Sequence, residues 1–431
     1  MRLDSIAINK FAPFGAQKCE FGRTTAPGWH ADVHIFVGEN GTGKTRLLSL
    51  LLAACGNSKE LDDRTAEPAK AAVVAEDPGK NKVMWFTQWG VAHTQSAEQV
   101  STVVNQYPAS GSPNLAWTGQ PNLFQLAKGT AAMAFRSVAA IRDEKVKPMA
   151  AVEWGAPADF LLFSRPPKDN TSLCQAISNM KIRAGMYIAG NPGERADRTV
   201  RMTERLEKTL ESITGRPFIF VVEQDGTDVR LKVSWGGVRM RLQQLPDGLR
   251  AVIGWLATCV AKLDILLPDV ESPLEQPILL FLDEPETHLH PAWQRHVLPA
   301  LQLLLPHAQI FVATHSPFVV SSVNDGWIYV LKSGPDGSVQ IHGPKECSKG
   351  DTYIDAVEDA LGLKEWYDPE TESMLSRFRK LRDAALKSFA TSDKDAMVSL
   401  AQEIAKRSES LDVMMGQELA QFAAKEKSAG R

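Results

Sequence analysis

Eight consecutive residues, Gly38-Glu39-Asn40-Gly41-Thr42-Gly43-Lys44-Thr45, match G-x-x-x-x-G-K-[ST] in full. Glycines at these positions allow a tight loop whose backbone N–H groups converge on phosphate oxygens, and a helix starting near Lys44 adds the positive end of its dipole. In such a loop Lys44 reaches the β- and γ-phosphates and the Thr45 hydroxyl ligates Mg²⁺. A second chemical cluster follows the apolar run Ile278-Leu279-Leu280-Phe281-Leu282, which delivers the adjacent carboxylates of Asp283 and Glu284. The expected roles are Asp283 as a Mg²⁺ ligand through water and Glu284 as the general base that polarises the attacking water. The run Ile310-Phe311-Val312-Ala313-Thr314 ends in His315-Ser316-Pro317, which predicts an imidazole beside the γ-phosphate. Upstream, Leu245-Pro246-Asp247-Gly248-Leu249-Arg250 opens a helix, so Asp247 and Gly248 are candidates to offer backbone N–H groups to phosphate. If that helix faced a second subunit's nucleotide, ATP would join two protomers. The pattern as a whole points to ATP and Mg²⁺ as ligands, with hydrolysis as the chemistry.

The elements that must carry these residues are legible in outline. Val33–Val37 is a compact apolar strand before the loop, and Leu47, Leu48, Leu51 and Leu52 recur at helical spacing after it. Strands are expected near Val83–Trp89, Ala131–Ile141, 278–282 and 310–314, and helices over 247–267 and 291–304. Phe218–Val222 and Val229–Val233 flank Gln-Asp-Gly-Thr and read as a hairpin. This alternation predicts an α/β fold with a mostly parallel core sheet. A charged helix from Glu194 to Ile213 aligns Arg195, Arg198, Arg201, Arg205 and Lys208 on one face. That stripe reads as an ion-paired solvated face, or alternatively as a phosphate-backbone contact. The tail from Pro369 to Lys427 is helical, with one amphipathic element through Leu375, Phe378, Leu381, Leu386 and Phe389. Met397, Leu400, Ile404 and Leu411 form a second, and packing on the core is the expected role of both. The expected divisions are 1–58, with the phosphate loop; 59–240, an irregular helical and β insertion; 241–345, with the acids and His315; and 346–431, a helical region open to partner docking.

Composition narrows the function classes. The 431 residues are 44% hydrophobic and 23% charged, enough for a large core, and the formal charge of −3 confines any nucleic-acid contact to a local patch. The five cysteines show no CxxC pair, so neither a disulfide framework nor a thiolate zinc site is expected. No signal peptide and no apolar run long enough to span a bilayer is apparent, so a cytoplasmic protein without membrane partners is expected.

Taken in order, the phosphate loop, the DGLR-type segment, FLDEPETHLHP and ATHSP resemble the ATP-binding-cassette ATPases of the SMC, RecF and OLD branch. The opening Leu3-Asp4-Ser5-Ile6-Ala7-Ile8-Asn9-Lys10-Phe11 is similar to the first strand of those proteins. The resemblance covers 1–58 and 240–330 and implies an ATPase head with an antiparallel β subdomain, a helical insertion and a helical tail. It further implies a head-to-tail homodimer, or a higher homo-oligomer, sandwiching ATP between one subunit's phosphate loop and the other's signature. Similar bacterial proteins, including Septu-type and retron-associated ATPases, work with a nuclease or other effector in phage defence. The alternatives are a RecF-like repair ATPase binding DNA or RNA directly and the nucleotide-binding subunit of a transporter. Departures from the family are Pro246 where the signature has Ser, and a Q-loop glutamine for which Gln88 and Gln125 are the candidates. No zinc hook, long coiled coil or TOPRIM-type acidic constellation is visible, so no nuclease of the chain's own is expected. His288 and His290 read as part of the loop after the catalytic acid and not as a metal pair.

Overall fold

Six residues in a row, Ile278 to Asp283, are buried, as a strand covered on both faces requires. Ile278, Leu280 and Leu282 enter one apolar cluster and Leu279 and Phe281 another, the period of two that a pleated strand imposes. The computed structural model describes residues 1–23, 31–56, 70–76, 80, 82–87, 90–94, 123, 131–136, 141–142, 144–152, 170–188, 196–323, 325–347, 367–388 and 391–428. They belong to two units, Met1–Gly362 and Leu363–Arg431. The second begins later than residue 346, where the sequence suggested a boundary, because Val339–Glu346 is still paired within the first unit's sheet.

The strands of the first unit are β1 (Arg2–Lys10), β2 (Gln17–Glu20), β3 (Asp32–Gly38), β4 (Lys70–Glu76), β5 (Lys82–Phe86), β6 (Gly90–Thr94), β7 (Ala131–Arg136) and β8 (Lys145–Val146). They continue with β9 (Phe218–Asp225), β10 (Asp228–Trp235), β11 (Val238–Arg241), β12 (Ile278–Asp283), β13 (Gln309–Ala313), β14 (Gly326–Ser333) and β15 (Val339–Glu346). Its helices are α1 (Lys44–Cys55), α2 (Asn170–Ile188), α3 (Ala196–Thr214), α4 (Asp247–Leu266), α5 (Pro291–Leu304) and the single turn α6 (Pro317–Val320). The core sheet runs β15-β14-β3-β13-β12-β7. All of its neighbours are parallel except β15, which closes one edge antiparallel.

One face of this sheet packs with α4 and α5, and the other packs with α1 and a five-stranded antiparallel sheet, β2-β1-β4-β5-β6. Strand β5 falls on the run expected near Val83–Trp89, whereas β4 and β6 come from the stretch expected to be irregular; the structure corrects that reading. Residues 71–75 form an unbroken run of small apolar residues that shows no alternation, yet it lies buried beside β1 with Ile6 opposite Val73. Strand β7 covers Ala131–Arg136 of the run expected to reach Ile141; residues 137–140 lie outside the described residues, and Ile141 itself is not in a strand. The hairpin β9–β10 turns at Gly226, whose φ of 69° suits glycine, and β11 and β8 share the other edge of β10.

The basic face of α3 is neither a solvated stripe nor a phosphate contact at its best-placed residue. Arg198 is buried and donates to the Pro268 carbonyl at 2.6 Å and to Asp264 Oδ1 at 2.7 Å. Arg201 reaches Glu271 at 3.4 Å, and Arg205 pairs with Glu275 at 3.0 Å and the Leu304 carbonyl at 2.9 Å. These arginines tie α3 to the ends of α4 and α5. Arg195 lies outside the described residues, and Lys208 is exposed. Arg198→Ala opens a buried gap and leaves Asp264 with the longer 3.7 Å contact to Arg183, and is expected to cost about 3 kcal/mol in urea unfolding. A loss below about 1 kcal/mol would return the stripe to the surface.

The second unit consists of α7 (Pro369–Ser388), α8 (Thr391–Ala405) and α9 (Glu409–Ser428). Leu375, Phe378, Met397, Leu400, Ile404, Leu411 and Met415 form a core of their own. Leu411 opens a third helix and does not continue the second. Arg382 donates to Glu418 at 2.8 Å and Arg407 to Thr371 at 2.9 Å, joining the helices at their rims. Among the described residues no helix is long and apolar enough to cross a membrane.

Candidate active site

Sheet register brings the chemistry to one edge. Asp283 lies opposite Ala313 on β13 and opposite Arg136 on β7, while Ala313 lies opposite Phe36 and Gly38 opposite Leu331. The carboxyl ends of four parallel strands thus form one row, the place where open α/β sheets bind ligands.

The phosphate loop leaves β3 through Gly38, where a Cβ would stand 2.5 Å from the Leu331 carbonyl oxygen. It re-enters regular structure at Gly43, whose φ of 87° and 3.0 Å approach to Phe14 and Pro13 leave no room for a side chain. Thr42 Oγ1 donates to the Glu39 carbonyl at 2.9 Å and stiffens the turn, while Glu39, Asn40 and Gly41 face solvent. Lys44 is buried, and its ammonium donates to the carbonyls of Gly38 at 2.8 Å and Glu39 at 2.9 Å. Burial pulls its pKa down to about 8, against the opposing pull of Glu284, Asp283 and Glu286.

Thr45 Oγ1 donates to Asp283 Oδ1 at 2.9 Å, joining α1 to β12. A hydroxyl and a carboxylate side by side are hard oxygen donors, the set that suits Mg²⁺ with its remaining positions kept by water. The other oxygen of Asp283 accepts from Arg136 Nε at 2.7 Å and from a second guanidinium nitrogen.

Glu284 turns away from β12 with φ of 51°, a left-handed conformation uncommon for a residue with a Cβ. Its N–H donates to the Ala313 carbonyl at 2.9 Å, and its own carbonyl accepts from Thr287 Oγ1 at 2.9 Å. The half-exposed carboxylate meets His315 Nε2 at 3.3 Å. Burial first, then the Lys44 charge, holds the His315 imidazole below its ordinary pKa, partly offset by Glu284 and by a bond to the Gly38 backbone. His315 is therefore mostly neutral at pH 7.

Glu286 is buried; it accepts from Thr314 Oγ1, and its Oε2 has no hydrogen-bond partner among the described residues. Burial pushes its carboxyl up to about 7, with the Glu284 charge adding to the rise and bonds from Thr314 and nearby backbone opposing it. A raised acid pKa costs nothing below the unfolded value near 4.5 and its full amount above the folded one. Glu286→Gln should therefore gain stability relative to wild type as pH rises from 4.5 through 7, reaching about 3 kcal/mol and flattening above the folded value. Melting curves across that range check it; a difference independent of pH contradicts it.

The structure gathers Gly38–Thr45, Asp283, Glu284 and His315 and sets Asp247 and Gly248 elsewhere. Asp247 begins α4 beside Arg250, and a Cβ on Gly248 would stand 2.3 Å from the His288 carbonyl oxygen. The signature-like turn is thus packed on the loop that follows Glu284. His290 caps α5, its ring accepting from the Ala292 N–H at 3.2 Å. Gln88 and Gln125 lie outside the described residues. Sequence reasoning missed Arg136 and Glu286. A cation closing the apolar run Ala131–Phe135 was the available signal for the first, and an acid two residues after Glu284 for the second.

Residues 201–321 match the family described as "AAA domain, putative AbiEii toxin, Type IV TA system". Among curated proteins, the "Retron Ec83 probable ATPase" of Escherichia coli is 28% identical over 30% of this chain and 24% of its own length. The "Septu protein PtuA" of Bacillus thuringiensis is 32% identical over 24% of this chain and 27% of its own. The chain thus spans about a quarter of the length of these relatives. Among solved structures, the SMC head domain from Thermotoga maritima aligns at 14% identity and a TM-score of 0.41, covering 80% of this chain and 100% of that one. Residues 201–321, which hold Asp283, Glu284 and His315, thus match an AAA-type domain, and part of the chain is homologous to the retron probable ATPases and to PtuA.

Proposed function

We propose that the chain is a Mg²⁺-dependent ATP hydrolase that works as a head-to-tail dimer and gates a partner effector. The observation that carries this reading is the 2.9 Å bond between Thr45 and Asp283, with the Glu284–His315 contact beside it. It joins a phosphate-binding loop to a strand end that presents a metal ligand and a base. In the proposed mechanism the loop N–H groups and Lys44 bind the β- and γ-phosphates and offset the charge that grows as the γ-phosphoryl group departs. Thr45 and Asp283 would hold Mg²⁺, which supplies charge neutralisation at the phosphates. Glu284 accepts the proton of the attacking water, with the His315 ring 3.3 Å from its carboxylate.

Gly248 lies against the loop after Glu284, so a nucleotide reaching it from a second subunit would also touch the segment that carries the base. That supports an ATP-sandwich dimer in which occupancy and hydrolysis are coupled across the interface. The retron and Septu relatives support a role in anti-phage defence; a cytoplasmic setting and a nuclease encoded nearby as the effector complete the proposal. The intramolecular pairing of Arg198, Arg201 and Arg205 weakens the alternative of direct DNA binding through α3. Steady-state phosphate release with and without Mg²⁺, run beside size-exclusion light scattering, tests the reading. No Mg²⁺-dependent release would remove hydrolysis from it, and an unchanged mass with ATP would remove the dimer.

A further inference from the structure

Asp283 is 2% exposed, and a carboxylate withdrawn that far from water needs positive charge beside it. Arg136 supplies it by construction. Parallel pairing of β7 and β12 places the two residues directly opposite each other at the ends of their strands. The guanidinium then meets Asp283 Oδ2 through Nε at 2.7 Å and through a second nitrogen. Thr45 engages the other oxygen, so both are held by the chain's own groups. Arg136 is 32% exposed in its side chain, leaving the guanidinium a path toward solvent while β7 keeps its pairing. A divalent cation brought to this carboxylate meets a like charge already in contact with it.

We propose that Arg136 is a built-in counter-ion that competes with the divalent cation for Asp283. It neutralises the carboxylate before the cation arrives and sets the concentration at which the cation takes over. The inference rests on the reading of Thr45 and Asp283 as the metal-holding pair and adds a residue that tunes it. If Arg136 leaves Asp283 free in roughly one molecule in ten, apparent cation affinity is weakened about tenfold. Removing the guanidinium therefore acts in two opposite directions. The metal-free protein is left with an unpaired buried charge and melts at lower temperature, while the cation binds more tightly and restores the loss. Lysine keeps the charge but cannot present a planar pair of nitrogens, so Arg136→Lys falls between.

The test uses the full chain as wild type, Arg136→Gln and Arg136→Lys. Mn²⁺ binding is followed by electron paramagnetic resonance with a non-hydrolysable ATP analogue, and melting is followed in EDTA and across a MgCl₂ titration. The expected result is a half-saturating Mn²⁺ concentration about tenfold lower in Arg136→Gln, with a melting deficit in EDTA that closes as Mg²⁺ is added. Unchanged or weaker Mn²⁺ binding by the folded variant, or a deficit that Mg²⁺ leaves in place, overturns the competition. Should the glutamine variant fail to fold, the lysine variant decides by the same two readings. Wild type that binds no Mn²⁺ with the analogue brings down the metal-site reading itself, a result distinct from equal binding by wild type and variant.

Discussion

Glu284→Gln is expected to bind ATP with Mg²⁺ and to turn it over at least about a hundredfold more slowly, the contribution a positioned general base makes. The substitution removes a charge and a proton acceptor while keeping the shape. It leaves the backbone constraints untouched, since the φ of 51° is held by the bonds from Glu284 N–H to Ala313 and from Thr287 to the Glu284 carbonyl. The carboxylate is half exposed, so little folding stability rides on it. The His315 ring, which lies 3.3 Å from the carboxylate, has an amide of the same shape beside it in the variant. A protein that binds and does not hydrolyse should accumulate in its ATP-bound assembly, so light scattering should show a larger dimer fraction than wild type under the same MgATP. Turnover within a few-fold of wild type would transfer the base role to another residue. Slow turnover with equal dimer fractions would keep the base and discard the coupling between hydrolysis and assembly.

What was legible in the sequence and what was not divide along a physical line. The phosphate loop was readable because every contribution to it is local: glycines that permit the turn, a strand before and a helix after. Strand β12 announced itself because burial on both faces leaves an uninterrupted apolar run ending in two acids. Arg136 was invisible for the opposite reason. It meets Asp283 only through the register of two strands that are far apart in the chain, and nothing in the run Ala131–Arg136 says which strand it will lie beside. The α3 arginines show a related limit. Periodicity reports that Arg198, Arg201 and Arg205 share a face, and it is silent on whether that face meets water or Asp264 and Glu275. In the tail, the α8–α9 break falls at Arg407-Ser408 with neither Gly nor Pro to mark it, so Leu411 read as part of the preceding helix. Strand β4 was hidden because alanines and valines in a row alternate nothing.

Lys44→Ala is expected to abolish the response to nucleotide while leaving the fold in place. Lys44 is 5% exposed, and the hydrogen bonds of its ammonium go to the neutral carbonyls of Gly38 and Glu39. Burial disfavours its charge, which is why its pKa falls to about 8 even with Glu284, Asp283 and Glu286 opposing the fall. A cation so poorly compensated is costly to the isolated fold and becomes favourable once a polyphosphate shares its pocket. Removing it should therefore change melting in the absence of ATP by no more than about 1 kcal/mol in either direction, the two carbonyls losing a donor as the buried charge disappears. Against phosphate the same loss is large, because a fixed donor in a site shielded from water is worth about a hundredfold or more in rate. The decisive comparison is the ATP-induced rise in melting temperature, which should be present in wild type and absent in Lys44→Ala. A variant that keeps the rise and the turnover would show that the eight-residue loop does not hold the phosphates. A variant that melts far lower without ligand would show that Lys44 serves the fold through its two carbonyl contacts, and its loss of binding would then carry no information about phosphate.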